Sequence, residues 1–366
     1  MILRLENLTK QFGDLVAVKD LNLTIEEGEI ISLLGPSGCG KTTTLNMIAG
    51  FERATAGKVY FDDRCVNDVH PKERNVGMVF QEYAIFTTMT VFQNISFGLR
   101  VRKVPKAEIR AEVRRIAENL NLEKILDRNV ANLNLSELQR VALARTISVK
   151  PSVLLLDEPL SNLDAALRER TRVELKRFHN KWGITMIYVT HDQLEAISLA
   201  KRIAVMDSGM LQQFGTADEI YRHPANLFVA KFIGNPPSNV VRGEVVKKDR
   251  SYMFKSGEYE LDISMHGDLI KKALKGNKLA ISFHTEDVKI TRSRNQKNST
   301  PVEVFVVELL GYDQIIDLKV DDLIIRALVP SSMEVKVDER LFMDIPVDKI
   351  NLFDLETEKN IFLTAG

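Results

Sequence analysis

Residues 35–42, Gly35-Pro-Ser-Gly-Cys-Gly-Lys-Thr42, combine glycines, a lysine and a hydroxyl in the order of a phosphate-binding loop. Glycines let successive backbone N–H groups close around phosphate oxygens, and a helix beginning just beyond them adds the partial positive charge of its N-terminus. Lys41 then reaches the β- and γ-phosphates, and the Thr42 hydroxyl fills one Mg2+ position. Gly35, Pro36, Ser37, Gly38, Cys39, Gly40, Lys41, Thr42 and Thr43 are the candidate phosphate contacts; Cys39 takes a free position of the loop and its thiol reads as packing. A second group is the acid pair Asp157-Glu158, which ends the apolar run Val153-Leu-Leu-Leu. At a strand's carboxyl end Asp157 can hold Mg2+ in the outer shell beside Thr42, while Glu158, one residue on, faces differently and can orient an attacking water. The chemistry implied is phosphoryl transfer to water from a Mg2+-bound nucleotide.

These groups need a scaffold that brings strand ends together. Residues 28–35 read as a buried strand running into a glycine turn, 153–157 and 203–207 read the same way, and 43–50 reads as a helix. Ile109, Val113, Ile116, Ala117 and Leu120 recur at helical spacing within 106–122 and mark one buried face of a charged helix. Alternating strands and helices over the first 235 residues predict an α/β layer fold. At Gly234-Asn-Pro-Pro-Ser238 two prolines and a glycine interrupt the pattern and mark a linker. Beyond it, short β-rich runs at 302–307, 315–320 and 323–329 predict a smaller all-β domain over 236–366, with a polar loop at 292–300.

Composition narrows the partners. The 366 residues hold 50 Lys+Arg and 50 Asp+Glu; from Pro236 onward there are 19 basic and 22 acidic, leaving 31 and 28 ahead of it. Neither part has the basic excess of a nucleic-acid binder, so no nucleic-acid partner is expected. No apolar run approaches the ~20 residues of a membrane-spanning helix, and Met1-Ile-Leu-Arg-Leu-Glu-Asn lacks a signal-peptide layout. Any membrane role then runs through a partner. With Cys39 and Cys65 alone, a disulfide framework is not expected and a reducing compartment is.

Further segments fall in a recognisable order around the phosphate loop, and with them the chain resembles the ATP-binding cassette (ABC) ATPases. Ser161-Asn-Leu-Asp164 is similar to that family's D-loop, Tyr188-Val-Thr-His-Asp192 to its switch-histidine segment, Val79-Phe-Gln-Glu-Tyr83 to its Q-loop and Lys10-Gln-Phe-Gly13 to its A-loop. The resemblance implies that His191 contacts the γ-phosphate, that Gln81 completes the Mg2+ and water shell, that Phe12 is the stacking platform for adenine, and that Asp164 belongs with the nucleotide contacts. The implied fold is a P-loop NTPase core of ABC type with a helical subdomain, residues 1–235, followed by an OB-like β domain for regulation and dimerisation, residues 236–366. Gln213-Phe-Gly-Thr216, Glu219-Ile-Tyr221 and residues 223–234 are similar to importer subunits for carbohydrates, polyamines and ferric ions. Val307-Glu-Leu-Leu-Gly-Tyr-Asp313 and Asn351-Leu-Phe-Asp-Leu-Glu-Thr357 look like the maltose/trehalose branch, although Ile281-Ser-Phe-His-Thr-Glu-Asp287 carries His284-Thr285 where that branch has Arg-Pro. The implied partners are ATP, Mg2+, transmembrane permease subunits and a second ATPase, at the cytoplasmic face of the cell membrane. Tyr83, Ile85, Phe86, Met89, Val91 and Phe92 are the expected route to the permease, with about half of them core.

One element departs from the family. Where Leu-Ser-Gly-Gly-Gln is usual, ahead of Gln139-Arg-Val, the chain reads Leu133-Asn-Leu-Ser-Glu137. The usual glycines let a helix N-terminus approach the γ-phosphate bound by a second cassette. Here Leu135 adds bulk and Glu137 adds negative charge. One reading slips the motif to Leu135-Ser-Glu-Leu-Gln139, at the cost of a ~200° turn of the helix face; the other makes Asn134 an N-cap with Glu137 at N3. A homodimer would carry two damaged sites, whereas a heterodimer with an intact-signature partner would keep one complete site at Lys41.

Overall fold

The computed structural model describes residues 3–248, 251–274, 276–294 and 298–364; Met1 and Ile2 of the N-terminal reading and 295–297 of the expected polar loop lie outside these. Contacts divide the chain into two compact units, Met1–Ala217 and Asp218–Gly366.

The first unit opens with strands β1 (Leu3–Phe12), β2 (Leu15–Ile25) and β3 (Ile30–Leu34), then helix α1 (Lys41–Ala49), β4 (Ala56–Phe61), β5 (Arg64–Cys65) and β6 (Val76–Val79). Three helices follow, α2 (Val91–Val101), α3 (Lys106–Asn119) and α4 (Leu135–Ser148). The unit closes with β7 (Val153–Asp157), α5 (Ala165–Trp182), β8 (Thr185–Thr190), α6 (Gln193–Leu199), β9 (Arg202–Asp207) and β10 (Met210–Gly215). Two sheets form, β2-β1-β4-β5 and β10-β9-β3-β8-β7-β6. In the second, β9, β3, β8, β7 and β6 run parallel, and every residue of β3, β7 and β8 is buried. That is the apolar-on-both-faces composition that parallel strands between covered faces require.

Register decides what the sheet can present. Leu34 at the end of β3 pairs with Thr190 of β8, and Asp157 at the end of β7 pairs with Val189. The chain segments leaving β3, β8 and β7 therefore emerge side by side along one edge, about 4.8 Å from strand to strand. Ligand sites of open α/β sheets form at that carboxyl edge. The helix α1 begins at Lys41, two residues before the expected start, because Gly40 at φ 98° turns the chain directly into it. The helices α2, α3 and α4 share an apolar core that includes Ile95, Ile109, Val113, Ile116, Leu143 and Ile147, as the spacing on α3 predicts.

Arg74 anchors α1 from behind. Its guanidinium, 6% exposed, donates to the Met47 and Ile48 carbonyls at the C-terminal end of α1 at 2.8 and 2.9 Å, to Val69 O at 2.9 Å and to Asn67 O at 3.3 Å. A cation at a helix C-terminus meets both the unpaired carbonyls and the negative end of the helix dipole. Burial nevertheless pulls the Arg74 pKa below its ordinary value. Gly50, at φ 87°, makes room, since a Cβ there would sit 2.6 Å from Arg74 Nε.

The division falls after the first residue of α7 (Ala217–Arg222), and the second unit holds the rest of that helix, α8 (Leu227–Phe232), β11 (Asn239–Lys248), β12 (Ser251–Ser256), β13 (Tyr259–Asp262), α9 (Gly267–Ala273), β14 (Lys278–Phe283) and β15 (Lys289–Thr291). It continues through β16 (Thr300–Leu309), β17 (Asp313–Val320), β18 (Leu323–Pro330), β19 (Arg340–Asp344), β20 (Asn351–Asp354) and α10 (Ile361–Thr364). Its sheets, β13-β12-β11-β14-β20 and β15-β19-β16-β17-β18, are antiparallel throughout. The division falls ahead of the expected residue 235 because α8 packs Leu227 and Ala230 onto Ala280 of β14 and Phe353 of β20. Short helices thus join the β-rich unit, and the proline-glycine linker lies inside it.

Replacing Arg74 tests the anchor. Arg74→Met should lower stability to urea by about 3 kcal/mol, since it strips donors from several buried carbonyls at once. Arg74→Lys should recover less than half of that, because an ammonium lacks the forked geometry.

Candidate functional site

The loop from β3 to α1 owes its shape to two glycines that nothing else could replace. A Cβ on Gly35 would lie 2.2 Å from Met206 O, and one on Gly40 would lie 2.4 Å from Ala17 O while φ is already 98°. Ser37 and Gly38 form the exposed tip, Pro36 and Thr43 are half-buried and Cys39 is buried. Lys41 folds back under this loop, donating from Nζ to the carbonyls of Gly35 and Pro36 at 2.8 Å each. Burial pushes the Cys39 thiol pKa up despite the nearby Lys41 charge, which makes it a packing residue of the core, as its position predicts.

Thr42, the second residue of α1, donates from Oγ1 to Asp157 Oδ1 at 3.0 Å. This contact across the edge joins the loop to the acid pair. Burial raises the Asp157 pKa above its ordinary value and the Glu158 charge adds to the rise, while the Thr42 hydrogen bond and Lys41 oppose it. Glu158 follows in the left-handed region at φ 44°, which a non-glycine residue seldom adopts. Its amide donates to Val189 O at 3.1 Å, locking the turn to β8. The turn directs the two neighbouring acids differently, as the sequence predicts: Asp157 meets Thr42, and Glu158 Oε2 lies 3.1 Å from His191 Nδ1. A carboxylate only accepts, so Nδ1 carries the proton in this contact.

The contacts thus bring together Lys41, Thr42, Asp157, Glu158 and His191. Gln81 joins through space: it is exposed and lines, with Asp157, Tyr83, Ile85 and Leu138, a cleft of about 740 Å³. Phe12 and Asp164 stand on elements of their own. Phe12 ends β1 with 44% exposure and Lys10 Nζ 4.5 Å from its ring centre, and Asp164 spends Oδ1 on the Leu167 amide as the N-cap of α5. Of the residues expected to reach a permease, Tyr83 and Val91 are buried and Ile85, Phe86, Met89 and Phe92 are half-buried.

Sequence reasoning missed Arg145. From α4 it donates to Ala84 O at 2.7 Å and Tyr83 O at 3.1 Å, bracing a turn in which both residues take positive φ, 44° and 59° respectively. Asn162 Nδ2 donates to Gln81 O at 3.3 Å. No local motif signals either contact, because each is a side chain reaching a backbone carbonyl far away in sequence.

The departing segment is a helix cap. Asn134 is the N-cap of α4, its Oδ1 accepting from Glu137 N at 2.9 Å, while Glu137 Oε2 accepts from Asn134 N at 3.0 Å. Arg128 Nη1 lies 3.7 Å from Glu137 Oε1. Leu135 is 48% exposed beside them. The helix register follows the capping alternative.

The donor set fits a Mg2+-nucleotide. Hydroxyl, carboxylate and amide oxygens are hard ligands suited to Mg2+, and it typically shares them with substrate phosphates. The start of α1 supplies backbone N–H groups and a lysine for phosphate.

A profile of the ABC transporter family matches residues 18–161. The chain is similar to the trehalose/maltose import ATP-binding protein of Thermococcus litoralis, 43% identical across 98% of this chain and 99% of the relative. It is similar also to the maltose/maltodextrin import ATP-binding protein of Aliivibrio fischeri, 42% identical across 99% and 98%, and to the Fe(3+) ions import ATP-binding protein of Fusobacterium nucleatum, 40% identical across 98% and 95%. Among solved structures, part of an ABC transporter complex from Clostridium perfringens aligns with a TM-score of 0.56 at 30% identity, over 60% of this chain and 89% of that one. An ATP-binding cassette in a dimeric post-hydrolysis state bound to ADP and Pi aligns at 0.53 and 31% identity, over 58% and 98%.

Burial of Asp157 carries a prediction about stability. With its pKa raised in the fold, ionised Asp157 weakens folding at neutral pH, and the penalty fades as pH falls toward the ordinary carboxylate range. Asp157→Asn keeps an acceptor for Thr42 and removes the charge, so it should raise the melting temperature of the nucleotide-free protein. Phosphate release should fall about 10²–10³-fold in the same variant. An unchanged or lower melting temperature would count against burial as the cause.

Proposed function

Because this chain belongs to the ABC transporter family as one of its ATP-hydrolysing subunits, we propose that it powers the import of a carbohydrate through transmembrane permease partners. Supporting the substrate class are the relatives named for trehalose/maltose and maltose/maltodextrin import, each aligned over essentially its full length. No helix among the described residues is long and apolar enough to cross a membrane, which fits peripheral attachment at the cytoplasmic face. A ferric-ion or polyamine cargo is the alternative; the Fe(3+) import relative, at 40% identity, keeps the first of these open.

The observation that carries the reading is the pair of contacts across one sheet edge, Thr42 to Asp157 and His191 to Glu158. ATP phosphates would lie against the loop at 35–43 and the start of α1, with Phe12 stacked on adenine and Asp164 nearby. Thr42, Asp157 and Gln81 would hold Mg2+, which supplies charge neutralisation at the β- and γ-phosphates. Glu158 orients water for in-line attack and takes up its proton, since its carboxylate is free to accept on the oxygen that His191 does not face. Lys41 and His191 stabilise the charge gathering on the γ-phosphoryl oxygens.

A second reading concerns pairing. The closed capping box of Asn134 and Glu137 supports a heterodimer in which an intact-signature partner completes the site at Lys41, or a lone chain that holds ATP and turns it over slowly. The combined replacement Asn134→Ser, Leu135→Gly, Ser136→Gly and Glu137→Gln should raise ATP turnover of the lone chain about 10²-fold. No gain would mean that this segment does not limit hydrolysis. In a mixture with a competent partner, Glu158→Gln in this chain should abolish most turnover; intact turnover would remove Glu158 from the complete site.

A further inference from the structure

Behind His191 lies a polar cluster that the hydrolysis scheme leaves unused. Glu195, in the first turn of α6, is 3% exposed. Its Oε2 accepts from the hydroxyls of Tyr188 and Thr190, both at 2.7 Å, and both donors are themselves buried. Its Oε1 lies 3.7 Å from Arg168 Nε of α5. Arg168 reaches Asp192 Oδ2 through Nη1 at 3.5 Å and donates from Nη2 to Leu163 O at 3.1 Å. The cluster closes on itself, because Thr190 Oγ1 also accepts from Asp192 N at 2.9 Å and Asp192 Oδ1 caps α6.

The placement of these contacts distinguishes them from ordinary packing. Thr190 and Asp192 flank His191, whose own side chain is half exposed with Glu158 as its partner. The position of His191 therefore depends on the backbone between two residues held by this cluster. Leu163 lies in the Ser161-Asn-Leu-Asp164 segment, and Asp164 starts the helix that carries Arg168. One buried carboxylate thus sees the strand end carrying the histidine on one oxygen and, through a guanidinium, the neighbouring loop on the other. Glu195 is buried while Arg168 is one-third exposed and 3.7 Å away, and an ion pair of that kind gives little net stability, so its use lies more in fixing geometry.

We propose that Glu195, acting with Arg168, is a positioning residue that makes the His191 segment and the Ser161–Asp164 loop move as one body. The Glu158–His191 geometry then depends on where that loop sits. The proposal rests on the ATPase reading only for the meaning of a rate, so its test needs a readout that works without turnover.

Glu195→Gln keeps the size and an acceptor for the hydroxyls but removes the charge facing Arg168. In the full chain, amide hydrogen exchange in this variant should quicken in both 161–165 and 188–193, while the loop at 36–43 keeps its rate. MgATP affinity, read with a fluorescent ATP analogue, should stay within about twofold of the parent. Turnover, measured in the chain carrying the four replacements at 134–137, should fall roughly ten- to a hundredfold, the usual effect of a small misplacement. Should Glu195→Gln not fold, Tyr188→Phe removes a single donor without moving the ring and should show the same paired exchange at smaller amplitude. Exchange that quickens in 188–193 alone overturns the tie between the segments. Loss of ATP affinity in step with turnover overturns positioning in favour of a general structural role. A parent chain that fails to bind ATP strikes the ATPase reading and leaves the exchange result standing.

Discussion

The register of three neighbouring parallel strands is the constraint on which the site depends. Leu34 opposite Thr190 and Val189 opposite Asp157 fix which residues leave the sheet together. A slip by one residue would turn each side chain to the other face, and these strands are buried on both faces, so the packing of their apolar side chains pins the register. Thr42 can reach Asp157 because the first turn of α1 and the end of β7 stand along one edge. The hydrogen bond between them is a consequence of strand pairing as much as of side-chain chemistry.

Around that edge the protein accepts local costs that a purely structural sheet would avoid. Asp157 is an acid whose burial works against its ionised form, Glu158 adopts a left-handed backbone, and Tyr83 and Ala84 do the same in the turn after Gln81. Each is held by a contact from elsewhere: Thr42 on Asp157, Val189 O on the Glu158 amide, Arg145 on the carbonyls of 83 and 84. Strained conformations persist where surroundings over-determine them, and they gather where chemistry needs fixed geometry. Arg74 has the same logic at a distance, securing the far end of the helix whose near end carries Lys41 and Thr42.

What could be read from the sequence was whatever the chain encodes locally. The loop at 35–42, the strand ending at Asp157 and the cap at Asn134 and Glu137 each depend on residues a few positions apart, and their geometry follows the spacing. The apolar face of α3 was legible for the same reason. The boundary between units was not, because two prolines and a glycine mark a break in backbone regularity while the actual division follows where Leu227 and Ala230 find apolar partners. Arg145, Arg168 and Glu195 were missed because their partners are set by tertiary packing. A charged residue on a helix otherwise reads as solvated surface.

The N-terminus of α4 shows how local stability and anion binding compete for the same backbone groups. A helix start leaves its first N–H groups without intrahelical partners, and these are what an anion would use. In this chain Asn134 takes the Glu137 amide and Glu137 takes the Asn134 amide, and a carboxylate there favours the helix dipole by about 0.3–1 kcal/mol. The same carboxylate repels a phosphate, and the donor it satisfies is no longer free. Arg128, 3.7 Å from Glu137, moderates the charge without restoring the N–H. A zero net charge over 366 residues conceals this opposition: one helix start with a lysine, Lys41, and another with a carboxylate, Glu137, across its N-cap. If two cassettes face each other head to tail, identical chains would set an acid-capped helix start against each phosphate loop, whereas unlike chains need do so only once. On the proposed pairing, the contacts among Thr42, Asp157, Glu158 and His191 would then work beside a partner whose own α4 start lacks such a carboxylate.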